Sequence, residues 1–338
     1  MNRRSLCQSL LASALSILAA CQPANEEIAL AGAVQGTTYH VKLVPAETPI
    51  DPAELQRAIE AVYEDIDRKL SNYREDSEIS RLNRQETTDW LDVSPEIAEL
   101  VAIAREVHAK SNGCYDLTVK PLFDLWGFSR HQNRVPSDAE IDALLAHVGM
   151  AKLEVDLPGR RIRKKDPMLR IDLSSIAQGY TVGRAAALLE ARGIGNYLVE
   201  IGGEMRVKGR KANGSAWRVA IEKPLPHTRE VERVLEVQEQ NGVAIMTSGT
   251  YRNFFQEGGK HYSHILDPKT GRPVTHRLLS VTVLHRDPTW ADAWSTALLC
   301  LGETGGYRIA EQEGLKALFI SQENGEPKEH HTPAFRVP

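Results

Sequence analysis

The chain has 338 residues, with 41 Lys and Arg against 45 Asp and Glu. That near-balance, a net charge of −4 and the lack of any charge block argue against a partner bound through a basic surface, nucleic acid above all. The length suffices for one large domain or two ordinary ones, and no internal repeat or low-complexity tract divides it.

The first residues read as an export leader. Arg3 and Arg4 supply the charged start, Leu10 to Leu18 the apolar stretch, and Ala19-Ala20 the small residues of a cleavage site. The apolar stretch is too short to span a bilayer as a finished helix. "LAAC", Leu18 to Cys21, resembles a bacterial lipobox, which makes Cys21 the lipid-modified first residue of an exported protein; the other reading is a plain secretory signal with a chance Cys. The chain thus divides into a leader (1–20), a short tether (21–33) and one long domain (34–338).

Thr37 to Val44 alternates and predicts a strand. Asp51-Pro52-Ala53-Glu54 offers an acceptor at the N-cap, Pro at the first helical position and an acid in the first turn. Ile59, Val62, Tyr63, Ile66 and Leu70 continue it as a helical stripe. Ser94-Pro95-Glu96 opens a second helix that stops at Gly113, and Ser137 with Glu140 a third that ends near Gly149. Short strands follow at Leu153 to Leu157, Arg161 to Arg163 and Leu169 to Leu173, then a helix from Ser174 to about Arg192. Further strands are expected near Tyr197 to Ile201, Met205 to Lys208, Trp217 to Glu222, Val231 to Val237, Val243 to Met246, His261 to Leu266 and Leu279 to His285. Helices near Ala291 to Leu301 and Gly306 to Glu313 precede a last strand, Lys316 to Ile320. Strands in runs beside clustered helices predict an α+β fold with mostly antiparallel sheets, as one compact unit or two interlocked subdomains.

No G-x-G-x-x-G follows a strand and no P-loop, CxxC or HExxH is present, so the familiar nucleotide-binding and zinc motifs are not supported. Cys114 and Cys300 lie in apolar or aromatic surroundings that favour unpaired buried thiols over a disulfide. The chemistry must come from polar clusters at element junctions. In "RIDLSSIAQGY" Asp172 either caps the following helix or joins its free amides in holding an anion, and Gly179 permits a close approach to the backbone. "TSGTYRNFF" and "HYSHILDPKTGRP" bring His264 to a strand edge, where a His is more often structural than catalytic. In "ADAWSTALLCLG" Asp292 and Thr296 are four apart and share one helix face. A carboxylate and a hydroxyl suit Mg²⁺, whereas a plain acid in the first helical turn would explain Asp292 alone.

Eight blocks together carry a resemblance: "QGTTYHV", "LSNYREDSEISRLN", "SNGCYDLTVKPLFDLWGF", "IDLSSIAQGY", "VEIGGEMRVKG", "SGTYRNFF", "HILDPKTGRP" and "ADAWSTALLCLG". In this order they resemble the ApbE family of FAD:protein FMN transferases, over roughly Val34 to Ile320. The resemblance implies an α+β fold, FAD as substrate, Mg²⁺ as cofactor, and transfer of FMN to a Thr or Ser hydroxyl of a target protein with release of AMP. By position it implies Mg²⁺ ligands at Asp292 and Thr296, with Ser295 adjacent and an oxygen of Ser175 across the site. It implies FAD contacts at Gln35, Tyr73, Cys114, Tyr115, Asp116, Asp172, Gln178 and Leu266. Gln35 stands where the family usually has Met, and Gln178 where it usually has Lys or Glu. The implied partners are exported acceptor subunits of membrane redox complexes of the Rnf and Nqr type, reached from a lipid anchor facing the periplasm; Gln22 after Cys21 leans toward the outer membrane. His264 is the expected base for the acceptor hydroxyl because imidazole titrates near neutral pH, with Asp292 through a water as second. The competing readings are an Mg²⁺-dependent FAD pyrophosphatase and a non-catalytic flavin-binding lipoprotein.

Overall fold

The computed structural model describes residues 26–45, 49–129, 132–225 and 230–335, so the expected leader and Cys21 lie outside the described residues. An eight-stranded sheet organises the molecule. Its strands are β1 (Ile28–Val34), β2 (Thr37–Val44), β3 (Asn196–Ile201), β4 (Glu204–Lys208), β5 (Val243–Gly249), β6 (Leu278–His285), β7 (Lys316–Glu323) and β8 (Glu326–His331). They lie side by side in chain order, every neighbouring pair antiparallel. The α+β expectation therefore holds, and the site is assembled from what is inserted between these strands.

The long β2–β3 insertion carries helices α1 (Pro52–Leu70), α2 (Glu78–Arg84), α3 (Pro95–Lys110), α4 (Lys120–Leu125), α5 (Asp138–Leu145) and α6 (Ala177–Ala191). Asp51 caps α1 by accepting from the Ala53 N–H, and Ser137 with Glu140 forms a complete capping box on α5. A hairpin of Trp217–Glu222 and Val231–Val237 is inserted between β4 and β5. A second hairpin, Phe254–Glu257 with Lys260–Ser263, lies between β5 and β6. Helix α7 (Pro288–Gln312) joins β6 to β7.

Helices pack on one face of the sheet and the Trp217 hairpin on the other, so the central strands are buried on both sides. On β5, Ala244 and Met246 join the helical core while Val243 and Ile245 join Trp217, Val219 and Leu235. That explains the continuous apolar run of this strand.

Three sequence expectations need correction. The stretch 28–33, assigned to the tether, belongs to strand β1. Its Ala and Gly residues give little β signal, but Leu30 and Val34 point inward, and Gly32 is seated where an added Cβ would come within 2.6 Å of the Tyr39 ring. Leu169 to Leu173 pairs with no strand among the described residues: the Asn83 side chain bonds both the N–H and the C=O of Ile171, at 2.7 and 2.8 Å, standing in for a neighbouring strand. Helix α6 begins at Ala177 rather than Ser174, because Asp172 caps the Ser174 turn instead. The two helices expected after Ala291 are both present within α7, parted by a kink at Gly302, whose φ of 72° a side chain would oppose and whose Cβ would meet His276 at 2.8 Å.

Candidate functional site

A cavity of about 550 Å³, within the range of small-molecule sites, opens where the C-terminal end of β5, the start of α7, the Ser174 turn, the Trp217 hairpin and the segments flanking the second hairpin converge. Strand pairing creates the opening. The β4–β5 ladder stops at Met205↔Ile245, while β5 stays paired with β6 as far as Gly249↔Ser280. The edge of β5 from Thr247 to Gly249 therefore faces the cavity. Its first free amide, Thr247 N–H, donates to the Glu204 carboxylate at 3.0 and 3.3 Å.

Helix α7 presents the expected pair. Asp287 is its N-cap, accepting from the Thr289 and Trp290 N–H groups at 2.8 and 3.3 Å, so Asp292 is not needed as a cap. Asp292 is only 5% exposed, lines the cavity, and accepts one hydrogen bond, from Gly179 N–H at 2.7 Å. The close approach expected at Gly179 is made by α7 itself: a Cβ there would lie 2.4 Å from the Pro288 carbonyl oxygen and 2.6 Å from the Asp292 Cβ.

Burial raises the Asp292 carboxyl to about 7, with the Gly179 N–H partly opposing the rise. Glu204, also buried and on the same cavity, is raised well above the carboxylate range, first by burial and then by the charge of Asp292. Neither carboxylate has an ion-pair partner among the described residues, an arrangement that calls for a cation.

Whether Mg²⁺ fits is decided by the donors. No group of three or more His, Cys, Asp or Glu converges among the described residues. Asp292 and Thr296 both line the cavity, however, and Mg²⁺ needs only one or two side-chain oxygens, with water and substrate phosphate completing its shell. The residues fit that ion. Ser175 lines the cavity too, its hydroxyl 3.1 Å from the Tyr115 Oη. Ser295 does not: it is fully buried, and its hydroxyl donates to the Asp292 carbonyl at 2.9 Å. The oxygen implied there is held behind the cavity wall.

His264 also lines the cavity. Its Nδ1–H donates to the Asn253 carbonyl at 3.0 Å, which leaves Nε2 with a free lone pair. Burial lowers the imidazole to about 4, so the expectation that it titrates near neutrality is corrected: the ring is neutral at pH 7.

Most residues implied as FAD contacts meet at this cavity: Tyr73, Cys114, Tyr115, Asp116, Asp172, Gln178 and Leu266 all line it. Tyr73 is 71% exposed, an aromatic ring left uncovered on the rim. Gln35 is elsewhere. It occupies the tight β1–β2 turn with φ 48°, exposed, its amide donating to Thr181 Oγ1 at 3.0 Å, and it does not line the cavity. Cys114 and Cys300 form a disulfide with a Cα–Cα distance of 5.9 Å, not the unpaired thiols expected. Apolar surroundings bury Cys300 and half-bury Cys114, but against each other, 186 residues apart in sequence.

Sequence reading missed Glu204, Ser248 and Arg252. Ser248 bonds both Ser295 and Thr296, at 2.8 and 2.9 Å. Arg252, on the cavity wall, pairs with Glu222. The polar endings of "GGE" and "TSG" after apolar strands were the available signal.

Comparison with known proteins agrees with this geometry. A model of the ApbE family matches residues 35–319. The chain is 38% identical to the FAD:protein FMN transferase of Vibrio cholerae over 96% of each chain, and 36% identical to that of Escherichia coli K12 over 93% of this chain and 89% of the other. Among solved structures it is similar to the flavin transferase ApbE from Vibrio cholerae, with a TM-score of 0.84 over 92% of this chain and 98% of that one. It is similar also to the apo flavinyl transferase ApbE of Pseudomonas stutzeri, 38% identical, with a TM-score of 0.83 over 92% and 96%.

Proposed function

Because this chain belongs to the ApbE family, we propose that its cavity binds FAD and Mg²⁺ and passes FMN to a Thr or Ser hydroxyl of a target protein. The chain is a transferase, an FAD:protein FMN transferase, as its full-length relatives are. In the reaction the acceptor oxygen forms a bond to the FMN phosphorus, the pyrophosphate bridge breaks, and AMP leaves with the bridging oxygen. Mg²⁺, when bound, supplies positive charge against the pyrophosphate oxygens. Asp292 and Thr296 would hold it.

The observation that carries this reading is the meeting, on one cavity, of an unpaired buried carboxylate, a hydroxyl four residues on, and a neutral imidazole with a free Nε2. His264 is the proposed base. Held in one tautomer by Asn253, it can take the acceptor proton at any pH above about 4, and the anionic substrate raises its basicity further. Tyr73, Cys114, Tyr115, Asp116, Asp172, Gln178 and Leu266 would form the walls around the flavin nucleotide. The exposed position of Gln35 gives it no direct contact in this arrangement.

Export and anchoring are part of the proposal. The leader and Cys21 support a lipid-anchored protein facing the periplasm, on the outer membrane by the residue after Cys21. The acceptors would be exported subunits of Rnf- and Nqr-type redox complexes. No described helix is long and apolar enough to cross a membrane. Replacing Cys21 with Ser should release the protein from the membrane fraction; wild type found soluble in the periplasm would refute the anchor.

One experiment tests the reaction. Purified protein is incubated with FAD and Mg²⁺, with and without an acceptor domain, and AMP and protein-bound FMN are measured. AMP only with acceptor, accompanied by an FMN mass increment, is the expected outcome. AMP without acceptor would make it a pyrophosphatase, and no AMP a flavin binder. His264→Ala should lower transfer on the order of a hundredfold; a loss within a few-fold would remove His264 from the role.

A further inference from the structure

Each hydroxyl has a single proton to give, and that count orders the network behind the cavity wall. Ser295 must donate to the Asp292 carbonyl, which can only accept, at 2.9 Å. Its proton is then committed, so in the 2.8 Å contact between Ser248 and Ser295 it is Ser248 that donates. With the Ser248 proton committed in turn, the 2.9 Å contact between Ser248 and Thr296 can be made only if Thr296 donates. The three bonds run one way: Thr296 to Ser248, Ser248 to Ser295, Ser295 to the main chain of α7.

From this order we infer that Ser248 is a positioning residue for the Thr296 hydroxyl. It draws the Thr296 proton toward β5 and leaves the oxygen lone pairs to the cavity, the orientation a cation requires. The free edge of β5 makes this possible, because Ser248 lies beyond the last β4 pairing and beside α7. Ser295 serves the same chain one step further back, which accounts for a fully buried hydroxyl on the metal-facing helix. Outer partners of this kind typically change metal affinity by about 10–100-fold.

The inference rests on the proposed Mg²⁺ site, and its test separates the two. Mg²⁺ is titrated into full-length protein with saturating FAD and no acceptor, and the rise in melting temperature is followed, since a ligand that binds only the folded state stabilises it. In wild type the transition should move upward with Mg²⁺. Ser248→Ala should shift the Mg²⁺ midpoint at least about tenfold higher while leaving the metal-free melt within a few degrees. Ser248→Thr, which keeps the hydroxyl, should restore the midpoint. Ser248→Cys keeps the volume but offers only a weak sulfur donor and acceptor, so it should behave like alanine and serves if the alanine variant does not fold. In a Thr296→Val background, Ser248→Ala should change nothing further. A normal midpoint in both Ser248→Ala and Ser248→Cys overturns the positioning role and leaves the metal site standing. The absence of any Mg²⁺ response in wild type overturns both.

Discussion

Six carboxylates line the cavity, and the four that are buried fall into two pairs. Asp116 and Asp172 are 9% and 8% exposed, Asp292 and Glu204 5% and 8%, so burial does not separate them. Hydrogen bonding does. Asp116 accepts from the Thr118 N–H and hydroxyl and from the Met150 N–H, at 2.7, 2.5 and 3.1 Å. Asp172 accepts from Asn72 and from the N–H and hydroxyl of Ser174, at 2.9, 2.8 and 2.5 Å. Asp292 and Glu204 each accept from a single backbone amide. A buried carboxylate with several donors is a local brace, whereas one with spare lone pairs and no cation partner is a binding group. Position in a motif does not distinguish the two; the count of donors does.

The comparison is broken most severely at Asp292. Asp292→Asn keeps the shape and the bond from Gly179 but removes the charge, and FMN transfer should fall on the order of a hundredfold or more. Extra Mg²⁺ should recover part of the loss. If Mg²⁺ titrations of wild type and variant share a midpoint and differ two- or three-fold in height, Asp292 belongs with the braces. Without metal, the same variant should be more stable than wild type at pH 8. The native carboxyl titrates near 7 against about 4 when unfolded, so ionising it destabilises the native state as pH rises between those values. The variant's advantage should be full above about pH 7, fade as pH falls toward 4, and vanish on saturating wild type with Mg²⁺. Melts across that range check the sign.

Asp116→Asn should give the opposite pattern: a stability loss of about 1–3 kcal/mol, from an amide group set against N–H donors, with the Mg²⁺ midpoint unchanged. Denaturant melts and the same metal titration decide it. The smallest effect is expected at Gln35. Gln35→Met changes an exposed turn residue, and FAD affinity should stay within about twofold of wild type, since exposed substitutions usually change free energy by no more than about 0.5 kcal/mol; a larger change would bring the β1–β2 turn into the site.

The sequence patterns made the long elements legible because periodicity and caps are local. The α1 stripe and the Ser137–Glu140 box behave as their spacing predicts. Strand β1 was hidden by its small residues, and Leu169 to Leu173 has a strand's pattern but takes its partner from the buried side chain of Asn83. The motif blocks brought the cavity residues within reach together, with Gln35 and Ser295 the exceptions. What they could not convey was direction. Which hydroxyl gives its proton to which, and which carboxylate keeps its lone pairs, depend on contacts such as Ser248 with Thr296 and Gly179 with Asp292, 48 and 113 residues apart.

The Cys114–Cys300 bond joins the loop that follows α3 to the helix that carries Asp292, and both cysteines line the cavity. They are the only cysteines among the described residues. Gentle reduction of the native protein would therefore create a pair of thiols on the cavity wall without any mutation. A fluorophore or spin label attached there would report directly on the entry of a nucleotide, and production in a reducing cytoplasm would yield the pre-opened form ready for labelling.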